Sequence, residues 1–283
     1  MDCKVILATN GLVFGECANM IKLSLEELGH TAEIVGTGID NHPYKEGDLN
    51  IVTRAFRPYI QSGKGRNVLY QCEELWHSRD SGVYDPRANG CAWERTLEIY
   101  KDNVVLPNHV NHKVVWCPYG YSPAYETNLP EVEEDVDIFF FGSNSPMRMN
   151  LLSELKNHPA MKGKVIHYAT NLFGIERDKW IMRSKIIINL KFVDRWSYPP
   201  LRALLAQCKK KMFMGHAPDG GRDPFTSGKH FIEFKSMEHL AEIADDWLNN
   251  DKKRKEFAVN AYEDIKKYHR FTDHLITGLK GII

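Results

Sequence analysis

The chain has 283 residues, 43% hydrophobic and 26% charged, the composition of a soluble globular protein with room for one large or two ordinary domains. Lys plus Arg and Asp plus Glu both number 37, so no bulk charge argues for a nucleic-acid partner. No apolar run approaches a membrane span, nothing resembles a signal peptide, and Cys3, Cys17, Cys72, Cys91, Cys117 and Cys208 are scattered without a CxxC pair. These features fit a cytoplasmic protein with reduced thiols better than a disulfide frame or a zinc site.

In chain order, residues 3–8 predict a strand, and Asn10-Gly11 and Gly15 follow at the turn into a helix over 14–28. Gly29 is placed to stop that helix. Strands are expected at 32–36, 49–53 and 68–71, a helix at 92–101, and short strands at 104–106 and 114–117. Trp93 sits in the helical pattern as a core residue. Tyr70-Gln71-Cys72-Glu73-Glu74-Leu75-Trp76-His77 leaves the fourth strand with two adjacent carboxylates and an imidazole. His109 and His112 read as an ordinary polar loop. A segment rich in Pro and Glu, Pro118 to Asp135, reads as an interdomain linker.

Alternation of strands and helices then restarts: strand 136–141, helix 146–157, strand 164–168, helix 176–183, strand 185–190, helix 199–207, strands 211–214 and 230–234, and helices 236–249, 251–268 and 271–280. Such alternation implies parallel strands with right-handed crossovers. The chain is therefore expected to be α/β, with two Rossmann-like doubly wound domains facing a cleft, and helices at its C-terminal side. The domain boundaries expected are 1–125, a linker at 126–135, a second domain at 136–268, and a terminal helix at 269–283 that packs back on the first domain. Lys209-Lys210-Lys211 and Lys252-Lys253-Arg254-Lys255 read as a solvated turn and a solvated helix face.

The chemistry concentrates in residues 135–214. Asp137-Ile138-Phe139-Phe140-Phe141 is a short apolar run that suits a strand covered on both faces. It stops at Gly142-Ser143-Asn144-Ser145, and Pro146 can open the next helix. A glycine turn feeding a helix N-terminus offers unpaired N–H groups and the positive end of the dipole to a phosphate. The run Ile186-Ile187-Ile188-Asn189-Leu190, its polar loop and the helix with Arg202 repeat the arrangement. Two such loops in one sheet imply a nucleotide diphosphate site.

Five motifs in order extend this: Phe140-Phe141-Gly142-Ser143 with Arg148; Arg183-Ser184-Lys185-Ile186-Ile187-Ile188-Asn189; Arg202-Ala203-Leu204-Leu205-Ala206; Gly228-Lys229-His230-Phe231-Ile232; and Ser236-Met237-Glu238-His239-Leu240-Ala241-Glu242. With them, residues 136–268 resemble the C-terminal domain of GT-B fold glycosyltransferases, of the group 1 and spore-maturation-protein-like kind. The resemblance implies a hexosyl- or pentosyltransferase that moves a sugar from a nucleotide-diphosphate sugar to an acceptor hydroxyl. It implies donor binding by Gly142, Ser143, Asn144, Arg148, Tyr168, Asn189, Lys191, Tyr198 and Arg202, with Asn10, Gly11 and Gly15 toward the cleft and the acceptor. Trp196 and Tyr198 would stack on sugar or base, and Asp219-Gly220-Gly221-Arg222-Asp223 would form a lid. An inverting transfer to a hydroxyl needs a base, for which Glu73, Glu74 and His77 are the candidates. No metal and no cofactor are expected; the nucleotide sugar is the co-substrate.

One position departs from the family pattern. Leu205 stands where a ribose-binding glutamate is usual, and leucine cannot accept a hydroxyl bond. Asp194 or the backbone would then hold the ribose, since the preceding loop offers Ser197 and Tyr198 rather than Glu. The acceptor stays open: a small molecule, a protein or a hydroxymethylated DNA base. DNA would need a local basic groove, for which Lys209–Lys211, Arg54, Arg57, Arg66 and Arg79 are the available groups. A monomer or weak homodimer without a membrane partner is expected. Two alternatives stand beside this reading: a non-catalytic two-domain protein that closes on a ligand, and a Rossmann-type dinucleotide enzyme, against which the missing GxGxxG counts.

Overall fold

The computed structural model describes residues 1–7, 11–36, 47–53, 65–71, 93–98, 112–192, 200–216 and 224–283, with the backbone alone at 11–13. They fall into two units: Met1–Ala124 with His269–Ile283, and Tyr125–Tyr268.

Unit 1 is built on six parallel strands: β1 (Asp2–Leu7), β2 (Thr31–Gly36), β3 (Leu49–Thr53), β4 (Arg66–Gln71), β5 (Arg95–Glu98) and β6 (Lys113–Trp116), in the spatial order β2-β1-β3-β4-β5-β6. The five residues of β3 are all buried, as are five of the six in β4, because helices and strands in such a sheet leave neither face to water. Helix α1 (Gly11–Glu27) ends at Gly29, whose φ of +82° only glycine adopts freely. Gly29 N–H bonds to Glu26 O at 2.9 Å and His30 N–H to Leu25 O at 3.0 Å, the two bonds of a Schellman motif.

The helix expected over 92–101 is instead β5, bonded in parallel to β4 and β6. Thr96, Leu97 and Glu98 are buried in succession, so a strand covered on both faces shows no alternation in its sequence. Trp93 is buried all the same. The strand expected at 104–106 and the loop with His109 lie outside the described residues, whereas His112 bonds Thr96 Oγ1 through Nε2 at 2.7 Å.

The last helix of the chain, α7 (Phe271–Gly278), belongs to unit 1. Thr272 Oγ1 donates to Glu27 Oε2 at 2.6 Å and accepts from Ser24 Oγ at 3.1 Å, and Arg270 pairs with Glu27, which ties the helix to α1. Arg66 Nη1 donates to Ile282 O at 2.5 Å and Arg95 Nη1 to Gly278 O at 2.5 Å, so two arginines at the start of β4 and β5 grip the carbonyls after the helix. Tyr121 and Arg270 form an isolated parallel bridge, and Gly120 permits it: a Cβ there would lie 2.5 Å from His269 O.

Unit 2 carries five parallel strands: β7 (Val136–Phe141), β8 (Ile166–Ala169), β9 (Ser184–Ile188), β10 (Met212–Gly215) and β11 (Ile232–Glu233), in the order β11-β10-β9-β7-β8. Its helices are α2 (Pro146–Asn157), α3 (Gly174–Met182), α4 (Pro200–Gln207), α5 (Met237–Leu248) and α6 (Asp251–Tyr268). Ile138, Phe140, Ile186, Ile188, Met212 and Met214 pack one sheet face against Leu152, Leu155, Leu240 and Ala244. On the other face Phe139 meets His167 and Trp180 of β8 and α3.

Of the segment expected as a linker, residues 125–135 lie within unit 2 and are bonded into it. Glu134 pairs with Lys211 and, at 3.3 Å, with Arg254; Glu126 accepts from Tyr262 Oη at 2.5 Å. Lys210, Lys252, Lys253 and Lys255 are exposed, as a solvated turn and helix face require, but three members of the basic runs are not. Lys209 and Lys211 are buried, with Lys209 Nζ donating to Tyr125 O at 2.9 Å and pairing with Asp178 at 3.1 Å; Arg254 is 2% exposed between Glu134 and Asp251. Long aliphatic stems let such cations enter a core when their heads reach acidic partners. Lys209 and Lys211 are accordingly no part of a solvated basic groove.

Among the described residues no helix is long and apolar enough to cross a membrane.

Candidate functional site

The site forms at the carboxyl end of the unit 2 sheet, where ligands meet open parallel sheets. Strands β7 and β9 are neighbours, in register from Val136 with Ser184 to Phe139 with Ile187, so the turns that follow them meet. Gly142 opens the first turn with φ +156° and donates its N–H to Ala169 O at 3.1 Å. A Cβ at this position would stand 2.7 Å from Arg202 Nη2 and 3.4 Å from Arg148 Nη1. Glycine thus leaves the space in which two guanidinium groups converge.

Ser145 caps α2: its Oγ accepts the Arg148 N–H at 3.2 Å and donates to Phe192 O at 3.2 Å, with Pro146 in the first turn. Arg148, 4% exposed, extends across both turns. Its Nη1 donates to Ser143 O at 2.7 Å and its Nε to Leu190 O at 3.0 Å. The rings of Phe140 and Phe192 lie against the guanidinium at 5.2 and 5.1 Å. Burial alone pushes its pKa down to about 10. No carboxylate among the described residues pairs with it.

Arg202 comes from the first turn of α4, half-buried. Its Nε donates to Phe141 O at 2.9 Å and its Nη1 to Asn189 Oδ1. The group lies over Phe140 at 5.2 Å and Phe141 at 5.3 Å. Asn189 is itself 2% exposed and donates its N–H to Met214 O at 2.8 Å, so it fixes the arginine rather than facing solvent. Two cations held by carbonyls, an amide and aromatic rings beside a helix N-terminus set a positive potential that suits a dianion.

The structure therefore brings Gly142, Ser143, Arg148, Asn189 and Arg202 together, with exposed Ser143 and Asn144 on the turn and Lys191 following Leu190. Tyr168 is different: it packs at the margin of the core beside Phe140, its partner across the β7–β8 ladder. Leu205 is buried in α4 at 2% exposure and offers nothing to a ribose. In unit 1, Gly11 begins α1, and a Cβ on Gly15 would meet nothing within 4 Å. Asn10, Glu73, Glu74, His77, Asp194, Trp196, Ser197, Tyr198 and 219–223 lie outside the described residues.

The Gly228-Lys229-His230 loop is bound to α6. Lys229 pairs with Asp264 at 2.9 Å, and His230 Nε2 meets Asp264 Oδ2 at 2.8 Å. Since His230 Nδ1 accepts the Thr226 N–H at 2.7 Å, Nε2 carries the proton and donates it. Burial holds the His230 pKa below the usual imidazole value, against the opposing pull of Asp264. Two contributors escape the sequence motifs. Ser145 has a visible signal, a serine before proline at a helix start. Phe192 has none, because its ring acts only once β7 and β9 are adjacent.

Residues 141–277, which contain Gly142, Arg148, Asn189 and Arg202, match the family described as "Glycosyl transferase-like". They are a glycosyl transferase-like domain. A search among curated proteins finds no match. Solved structures share the fold of the whole chain. An α-glucosyltransferase in complex with UDP and a 13-mer DNA containing an HMU base has a TM-score of 0.66 at 10% identity, over 98% of each chain. Anabaena HepE in complex with UDP and glucose has a TM-score of 0.60 at 10% identity, over 99% of each. A mutant of S. aureus TarM in complex with fondaparinux, alpha-GlcNAc-glycerol and UDP has a TM-score of 0.57 at 13% identity; 80% of this chain is covered, which spans 54% of TarM. The glycosyl transferase-like domain thus sits in a chain with the GT-B fold.

Proposed function

We propose that the protein transfers a hexose from a UDP-sugar to an acceptor hydroxyl, and that the Gly142–Arg148–Arg202 site takes the diphosphate. One observation supports this above the rest: Arg148 is buried with no carboxylate partner among the described residues, beside a second guanidinium, at the open end of a parallel sheet. A guanidinium buried in this way is costly unless an anion joins it. When the bond between the sugar's anomeric carbon and the diphosphate oxygen breaks, negative charge grows on the leaving group. Donors already fixed where that charge grows stabilise the transition state. The acceptor oxygen bonds the anomeric carbon and its proton passes to a base.

UDP is common to the three neighbours named above, and it is the donor nucleotide to try first. Two guanidiniums supply the positive charge that a divalent cation would otherwise bring, so the proposed transfer runs without metal. For the acceptor, a hydroxyl on a small molecule or protein is favoured over one on DNA. The residues of unit 1 include 14 Lys and Arg against 16 Asp and Glu, a net charge of −2, which gives a polyanion no general attraction. The neighbour with HMU DNA keeps that acceptor in the test.

Calorimetry with UDP, GDP, ADP and UMP, followed by hydrolysis and transfer assays with labelled UDP-glucose in EDTA, tests the reading. Micromolar binding of UDP with release of labelled glucose is expected. Binding without turnover would favour a ligand-binding protein, and no binding of any nucleoside diphosphate would end the donor-site reading.

A further inference from the structure

We infer that Arg148 is a positioning residue that aims the Asn144 peptide N–H at the bound diphosphate, leaving direct contact to Arg202; this rests on the donor-site reading above. The two hydrogen bonds of its side chain both go to backbone carbonyls, Ser143 O at 2.7 Å and Leu190 O at 3.0 Å. These belong to the two turns that follow adjacent strands β7 and β9. A trans peptide points its C=O and N–H in opposite directions, and none of the described peptides is cis. Gripping Ser143 O therefore turns the Asn144 N–H away from the guanidinium, and gripping Leu190 O fastens the first turn to the second.

A third tie locks the frame: Ser145 Oγ donates to Phe192 O at 3.2 Å while it caps the N–H of Arg148 at 3.2 Å. Phe140 and Phe192 pack against the guanidinium and shield it, at 5.2 and 5.1 Å. At 4% exposure the group is poorly placed to meet a ligand from solution. Arg202 is more open, and its Nη2 lies where only the missing Cβ of Gly142 leaves room. The planar fork of an arginine can reach two carbonyls at once, which a lysine ammonium cannot do in the same geometry.

Arg148→Lys and Arg148→Met, measured in the full chain with UDP and UMP by calorimetry and without ligand by thermal melting, test this. Both variants should bind UDP at least tenfold more weakly, with the preference for UDP over UMP reduced and the melting transition kept. Arg148→Lys at wild-type UDP affinity would mean that charge alone suffices and would overturn the inference. Parallel losses for UDP and UMP with an early melting transition would assign a purely structural role and overturn it too. Should both variants fail to fold, Ser145→Ala decides: it cuts the third tie and removes no charge. It should weaken UDP about threefold, and unchanged affinity would overturn the frame. A wild type that binds no nucleoside diphosphate sinks the donor-site reading and this inference together. A wild type that binds, with Arg148→Lys unaffected, sinks the inference alone.

Discussion

At the carboxyl end of its sheet, unit 1 buries Thr53, Gln71 and Glu98, whereas unit 2 buries Arg148 and half-buries Arg202. The sheets are both parallel and both covered on two faces, so the architecture does not distinguish them. Their rims do. Buried neutral and acidic side chains end the described strands of unit 1, while a cationic rim over a glycine turn in unit 2 calls for an anion. The contrast shows that residues at and just past the strand ends, rather than the strand interiors, distinguish two sheets of one architecture.

The sharpest break of this contrast is Arg202→Ala. Loss of a charged hydrogen-bond donor to the diphosphate should cost about 2–3 kcal/mol of UDP affinity, measured by calorimetry; wild-type affinity would leave the unit 2 rim without its assigned role. Next is Gly142→Ala. A Cβ 2.7 Å from Arg202 Nη2 must push that side chain aside, and UDP affinity should fall about tenfold, or about 1.4 kcal/mol. Glu98→Gln sharpens the contrast from the other side. It changes a buried carboxyl group at the end of β5, in the other unit, so UDP affinity should stay within about twofold, well under 1 kcal/mol. A large loss would show that the rims are not chemically separate.

The smallest expected effect is on pH dependence. Burial depresses the pKa of His230 in unit 2 and, likewise, of His274 in unit 1. Below the ordinary imidazole value near 6.5 the unfolded chain binds protons that the folded chain refuses, so stability is full above that pH and declines as pH falls further. Melting curves from neutral to mildly acid pH should shift downward in the wild type and less in His230→Phe. An upward shift on acidification would contradict the buried neutral imidazoles.

Much of the fold is legible because parallel strands covered on both faces write themselves as unbroken apolar runs, as in Phe139-Phe140-Phe141 and Ile186-Ile187-Ile188. Segment 95–98 is not, because its buried set includes Thr96 and Glu98, polar residues that no periodicity assigns to a strand interior. At the site, the motifs place Arg148 and Arg202 correctly near one another. What they miss is direction: only the geometry shows Arg148 turned toward carbonyls and Asn189 holding Arg202. The lysines at 209 and 211 mislead for a related reason. Their acidic partners, Asp178 and Glu134, lie far away in sequence, and a run of charges looks solvated until a distant carboxylate covers it.

The return of residues 269–283 to unit 1 also bears on the order in which the parts of the protein can fold. On the ribosome the first strands and α1 emerge early, yet the helix that covers α1, and the carbonyls that Arg66 and Arg95 grip, follow only after all of unit 2. Unit 2 is contiguous and has its whole sheet in hand before that point, so it is free to fold first although it is translated second. The nascent N-terminal half waits with one flank of α1 uncovered, and its need for protection by chaperones should last until the final helix leaves the exit tunnel.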